Sequence, residues 1–216
     1  MSPNFSKGWK QTPKGIVIHY TASSVKNSDI RWFENLASKV SCHNYIDRDG
    51  HVAEIVSLSD RAWHAGISQW AGNSGCNNFT IGIELANIGK TKSGQWEPYP
   101  EAQLVALIET IKHIKTKWPL INDSWIVGHN HISPGRKIDP GPAFPWDRIS
   151  DTFTQTNKMN DVMSMQSHLE RLDFELGEID GYWGKATSRE LEECSKKYSV
   201  IFTENTLSNI RILRKL

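Results

Sequence analysis

The chain has 216 residues with 25 Lys and Arg against 24 Asp and Glu, a formal net charge of +1. At roughly 100–200 residues per domain this allows one large domain, alone or with a small appendage, and the balanced charge excludes binding driven by neutralising many phosphates. No apolar run approaches the roughly 18–20 residues of a membrane span, and three scattered cysteines (Cys42, Cys76, Cys194) are too few for a disulfide scaffold.

The polar first 14 residues contain Pro3 and Pro13 and no apolar stretch, so they do not read as a secretory signal. Gly15-Ile16-Val17-Ile18-His19-Tyr20 is an apolar, β-branched run that predicts a buried strand. A helix is expected over residues 28–39, after an Asn27 or Ser28 cap. Residues 42–47 and 51–56 flank Arg48-Asp49-Gly50, and Asp-Gly between two such runs signals a hairpin. Residues 80–85 form a further strand, with Ile81, Ile83 and Leu85 on one face and Gly82, Glu84 and Ala86 on the other. Leu104, Leu107, Ile108 and Ile111 recur at helical spacing over residues 101–117, after Pro100. A fourth strand, residues 125–129, ends on His129. Strands alternating with helices predict an α/β domain over residues 1–150, with a mixed central sheet flanked by helices. Residues 151–160 are polar and aperiodic, as a linker would be. Residues 161–216 predict a small three-helix domain, with helices near 161–172, 185–198 and 204–214.

His19 and His129 each stand at the C-terminal end of a strand, where open α/β sheets place ligand sites. A single such histidine is more often a core residue, but two raise the odds of a shared site. Asp139 follows ten residues after His129 on a loop with Pro134, Pro140 and Pro142. That loop is either a rigid surface turn or a pre-organised arm carrying a third ligand. Two imidazoles and a carboxylate with a fourth position open form a recurring catalytic zinc shell. Such a zinc lowers the pKa of its water from about 15.7 toward about 7. Glu84, between the small residues Gly82 and Ala86, is a candidate general base, with a paired structural carboxylate as the equal alternative. Lys137, two residues before Asp139, faces the same site if the loop is extended and solvent otherwise.

Residues 15–20, Trp63-His64-Ala65-Gly66, Ile81-Gly82-Ile83-Glu84-Leu85 and the stretch from Gly128-His129 through Arg136-Lys137-Ile138-Asp139-Pro140 resemble the zinc N-acetylmuramoyl-L-alanine amidases. The resemblance runs over about residues 12–150. It implies one zinc ion held by His19, His129 and Asp139, with Glu84 as base and Lys137 as oxyanion stabiliser. It also implies that Trp63 and His64 line the substrate groove. Asn87, Trp70 and His43 complete the expected substrate-binding set, and Trp96 is a further aromatic candidate for stacking on sugar. Two departures stand out: Cys42 replaces a tyrosine of the short phage members, and His131 replaces a usual acidic residue and offers a competing ligand.

Residues 161–198 resemble a three-helix peptidoglycan-binding domain, carried by Met165-Gln166, Leu169, Leu172, Phe174 and the loop Ile179-Asp180-Gly181-Tyr182-Trp183-Gly184 with Thr187. Asp173 stands where that family has glycine, and Cys194 where an aromatic is common. The expected activity is hydrolysis of the amide between N-acetylmuramic acid and L-alanine of peptidoglycan or a muropeptide, by a monomer with no nucleic-acid partner. A recognition module without catalysis and a zinc peptidase acting within the stem peptide are the alternatives. A phage endolysin or a mature exported enzyme is favoured over a cytoplasmic recycling enzyme.

Overall fold

Five strands make one mixed sheet in the order Val52–Glu54, Asn44–Ile46, Thr80–Leu85, Gly15–Tyr20, Ile126–Gly128. The computed structural model describes residues 1–24, 28–152, 157–176, 185–200, 202 and 213. The Gly15–Tyr20 strand lies between two parallel neighbours, Thr80–Leu85 and Ile126–Gly128. Only the outer pair, Asn44–Ile46 with Val52–Glu54, is antiparallel. It is the expected hairpin, shortened to three residues a side. Its turn closes through Gly50 N–H donating to Asp47 O at 3.0 Å, with Gly50 at φ +85°, a conformation that suits glycine.

The strand alternation read from the sequence decides the two faces. Ile16, Ile18, Ile81, Ile83 and Leu85 pack with Leu104, Leu107, Ile111 and Ile114 of the Glu101–Lys117 helix. That helix has the predicted bounds, because its apolar positions form one continuous stripe and Pro100 suits its entry. Gln103 stitches it to the sheet, its Nε2 donating to Ile46 O and Ala86 O at 3.0 and 3.1 Å. The opposite face holds a smaller apolar group, including Phe33, Cys42, Tyr45 and Ala86. The helix expected over residues 28–39 is split into Ser28–Glu34 and a 3₁₀ turn, Leu36–Ser38, that Asn35 caps.

Leu107 is fully buried, so Leu107→Ala removes contacts that cannot be replaced. The expected loss is about 2–5 kcal/mol of unfolding free energy, read as a lower midpoint in chemical denaturation with an unchanged slope.

The chain divides into two compact units, Met1–Phe153 and Thr154–Leu216. In the second, the helices Asn157–Arg171 and Lys185–Tyr198 bury Met165, Leu169, Phe174, Leu191, Cys194 and Leu213. Gln166 Nε2 donates to Thr187 Oγ1 at 3.0 Å within this core. Asp173 has φ +64°, the left-handed conformation that glycine takes most readily. The loop of residues 179–184 lies outside the described residues, as do 153–156 of the expected linker and all of the expected third helix except Leu213. All three cysteines are free and buried. No helix among the described residues is long and apolar enough to cross a membrane.

Candidate active site

Parallel pairing sets His19 directly opposite Glu84 on adjacent strands, so both side chains leave the same face. On the other side of that strand, Ile18 pairs with Gly128, which delivers His129 next to His19. The sequence placed His129 as the last residue of its strand. It is instead the first residue of a one-turn helix, His129–Ile132. Asp139 returns to the same point because its carbonyl accepts the Asn130 N–H at 2.9 Å. Arg136 anchors the loop, its Nη2 donating to Ala65 O, Ile67 O and Ser133 Oγ, each at 2.7 Å.

These constraints bring His19 Nδ1, His129 Nδ1 and Asp139 Oδ2 within 2.9–3.1 Å of one another, with all three residues buried. The far nitrogens explain which atoms face inward. His19 Nε2 lies 3.0 Å from His64 Nδ1, and His129 Nε2 lies 3.0 Å from Ala65 O, an atom that can only accept. With Nε2 protonated in each neutral ring, both Nδ1 atoms present lone pairs. Burial depresses the His19 pKa to about 4, which keeps that ring neutral. Three acceptor atoms converging in a buried place repel one another unless a cation sits among them. Two imidazole nitrogens and a carboxylate oxygen fit zinc by type and number. Among the described residues, these three are the group able to hold a metal ion.

The triad opens onto a cleft of about 650 Å³ that also receives Glu84, Lys137, Trp63 and His64. Glu84 Oε2 is buried without a hydrogen-bond partner among the described residues. Burial raises the Glu84 carboxyl pKa well above the ordinary range, with Asp139 and Asp29 adding to the shift and Lys137 opposing it. Lys137 lines the same cleft as the triad.

The other expected groove residues fall into two groups. Trp63 and His64 line the cleft, although Trp63 Nε1 is held by Ser6 Oγ at 2.9 Å. His43, Asn87 and Trp70 do not line it. His43 is fully buried, accepting the Gly82 N–H at Nδ1 and directing Nε2 to Asp60 O, with its ring stacked on Trp9. Asn87 is buried and braces a turn, its Oδ1 accepting the Gly89 N–H at 2.7 Å. Trp70 is buried. Each contributes to packing, because alternation along a strand says which face a side chain takes but not what later covers that face. Trp96 lines a separate depression beside Arg48 and Glu97.

His131 does not join the triad: its Nδ1 accepts the Gly128 N–H at 3.0 Å and its ring packs near Trp146. Cys42 is fully buried in the apolar group with Phe33 and Tyr45 and does not line the cleft. Sequence reading missed Trp32 and Arg136. Trp32 lines the cleft and remains 56% exposed. The available signal was a tryptophan between Arg31 and Phe33 on a short helix, which is easily read as packing.

Residues 9–142 match the family model described as N-acetylmuramoyl-L-alanine amidase. The chain is 44% identical over 110 residues to the 1,6-anhydro-N-acetylmuramyl-L-alanine amidase AmpD of Haemophilus influenzae, covering 51% of this chain and 56% of that protein. It is 36% identical over 148 residues to the N-acetylmuramoyl-L-alanine amidase AmiD of Escherichia coli, covering 63% and 52% respectively. The chain thus spans only a little over half the length of these curated relatives. Among solved structures, E. coli AmiD in complex with the substrate anhydro-N-acetylmuramic acid-L-Ala-D-γ-Glu-L-Lys superposes with a TM-score of 0.64 at 29% identity, over 83% of this chain and 77% of that one. A selenomethionine derivative of AmpD gives a TM-score of 0.61 at 31% identity, over 70% and 90%.

Proposed function

Because the chain belongs to the N-acetylmuramoyl-L-alanine amidase family, we propose that it hydrolyses the amide joining the lactyl group of N-acetylmuramic acid to L-alanine of the stem peptide. The observation that carries this reading is the convergence of His19, His129 and Asp139 beside the unpartnered carboxyl oxygen of Glu84. The resident metal would be zinc, held by those three side chains. When bound, zinc supplies Lewis acidity and an acidified water.

The remaining chemistry belongs to this chain's own groups. Glu84 Oε2 takes a proton from the attacking water and passes it to the departing nitrogen of L-alanine. A carboxyl pKa raised by burial suits that shuttle, since a base works best when its pKa lies near the working pH. Lys137 Nζ stabilises the negative charge that develops on the lactyl carbonyl oxygen. Trp63 and Trp32, both on the cleft wall, offer apolar planes for the sugar ring.

The second unit is read as a wall-binding module. Its support is the resemblance of residues 161–198 to peptidoglycan-binding domains, together with a core built from Met165, Leu169 and Phe174. Tethering such a module raises the local concentration of wall substrate without adding catalytic contacts. Polymeric peptidoglycan is therefore the proposed substrate, in preference to the anhydro fragments named for the relatives.

The experiment is mass spectrometry of digests of intact sacculi and of soluble muropeptides. Free stem peptides beginning at L-alanine, released faster from sacculi, are the expected products. Peptides cut internally would instead identify a stem peptidase. No product from a zinc-loaded chain would leave a recognition module.

A further inference from the structure

The Trp63-His64-Ala65-Gly66 motif was expected to line the groove. We propose that its His64-Ala65 dipeptide is a bracket that fixes the tautomer and orientation of both metal-binding imidazoles, which makes His64 a positioning residue. The inference rests on the metal reading above.

The direction of each hydrogen bond follows from one fixed end. Thr80 O can only accept, and it lies 3.1 Å from His64 Nε2, so that nitrogen carries the hydrogen. His64 Nδ1 is then an acceptor in the neutral ring and receives His19 Nε2–H at 3.0 Å. The lone pair of His19 is thereby left on Nδ1, the atom that faces Asp139. The two rings meet edge to face, 5.1 Å apart with planes at 82°, which suits an in-plane hydrogen bond to the His64 nitrogen. The next residue serves the other imidazole in the same way, since Ala65 O accepts His129 Nε2–H at 3.0 Å. Both ring nitrogens of His64 are thus occupied by protein atoms, leaving neither for a substrate.

The bracket is itself held in place. Asn77 Oδ1 accepts the backbone N–H groups of His64 and Ala65 at 3.1 and 2.8 Å. Beneath the His64 ring the strand has glycine. A Cβ at Gly82 would stand 2.4 Å from His64 Cγ, closer than real atoms approach. A ring lodged against a side-chain-free strand position, with its carrier dipeptide clamped by an amide, cannot turn to offer the other tautomer. Groups that orient a metal-binding histidine through its second nitrogen typically change metal affinity by 10–100-fold when removed.

The test uses the full chain, comparing wild type with H64L, H64Q and N77A. Zinc affinity is measured by chelator competition, and the visible spectrum is recorded with cobalt(II) as the metal. H64L is expected to bind zinc about 10–100-fold more weakly and to shift the cobalt bands. H64Q is expected to recover most of the affinity and the wild-type bands, because a glutamine can accept from His19 through Oε1 while donating to Thr80 through Nε2. N77A keeps the ring but frees the dipeptide, and a weakened affinity is expected there too; it carries the test if H64L does not fold. Zinc binding by folded H64L within about threefold of wild type overturns the proposal, because the bracket would then lack the typical effect. So does an H64Q no better than H64L, which would reduce His64 to a space filler. A wild-type chain with no tight zinc site would overturn the metal reading on which both rest, a different result from either.

Discussion

His19→Ala is expected to abolish zinc binding and amide hydrolysis together. In the proposed site the imidazole would supply one of three protein ligands, and its loss would leave Asp139 and His129 with too few donors to hold the ion. A catalytic metal there would contribute several kcal/mol of transition-state stabilisation, so turnover is expected to fall by about a thousandfold or more at 1.4 kcal/mol per decade. Elemental analysis of the purified variant and its rate on a defined muropeptide are the paired measurements. Equal loss of both is the expected pattern. Wild-type turnover in a zinc-free His19→Ala protein would overturn the hydrolytic mechanism proposed above.

Glu84→Gln separates chemistry from metal binding. Glutamine has the shape of glutamate and Glu84 is not among the three converging ligands, so zinc content is expected to stay near one per chain. The amide cannot accept the water proton, and kcat is expected to fall by about 10²–10⁴-fold. KM should change little, because the interaction removed exists only in the transition state. A variant that loses zinc would make Glu84 a structural support of the metal instead. One that keeps full kcat would move the base elsewhere in the cleft.

Much of the site was legible because sheets impose a strict period. Once residues 15–20 and 80–85 are read as strands, His19 and Glu84 are each committed to one face, and parallel pairing sets them side by side. The ladder also brings the start of the His129–Ile132 helix alongside. His43, Asn87 and Trp70 were not legible in the same way. His43 is taken up by Trp9 and Gly82, partners that only the folded chain brings near, Asn87 by the local turn at Gly89, and Trp70 by burial. His64 shows the limit most clearly. Its position by the site could be read from the motif, but its hydrogen bonds to Thr80 and His19 depend on a loop laid against a strand. Arg136 escaped notice for a related reason, since two of its partners are the backbone carbonyls of Ala65 and Ile67, which leave no trace in side-chain chemistry.

Gly82 carries a consequence for anyone who would transplant this centre into another sheet. Copying the two histidines, the aspartate and the glutamate would not be enough. The recipient strand must also lack a side chain two residues before the base, on the same face, because the imidazole behind His19 occupies that volume. A β-branched residue there, the ordinary choice for strand stability, would expel the His64 ring and leave the His19 imidazole without its hydrogen-bond partner. The transferable unit is therefore a pattern of six positions, the four side chains, the supporting His64 and Gly82, the last defined by what it omits.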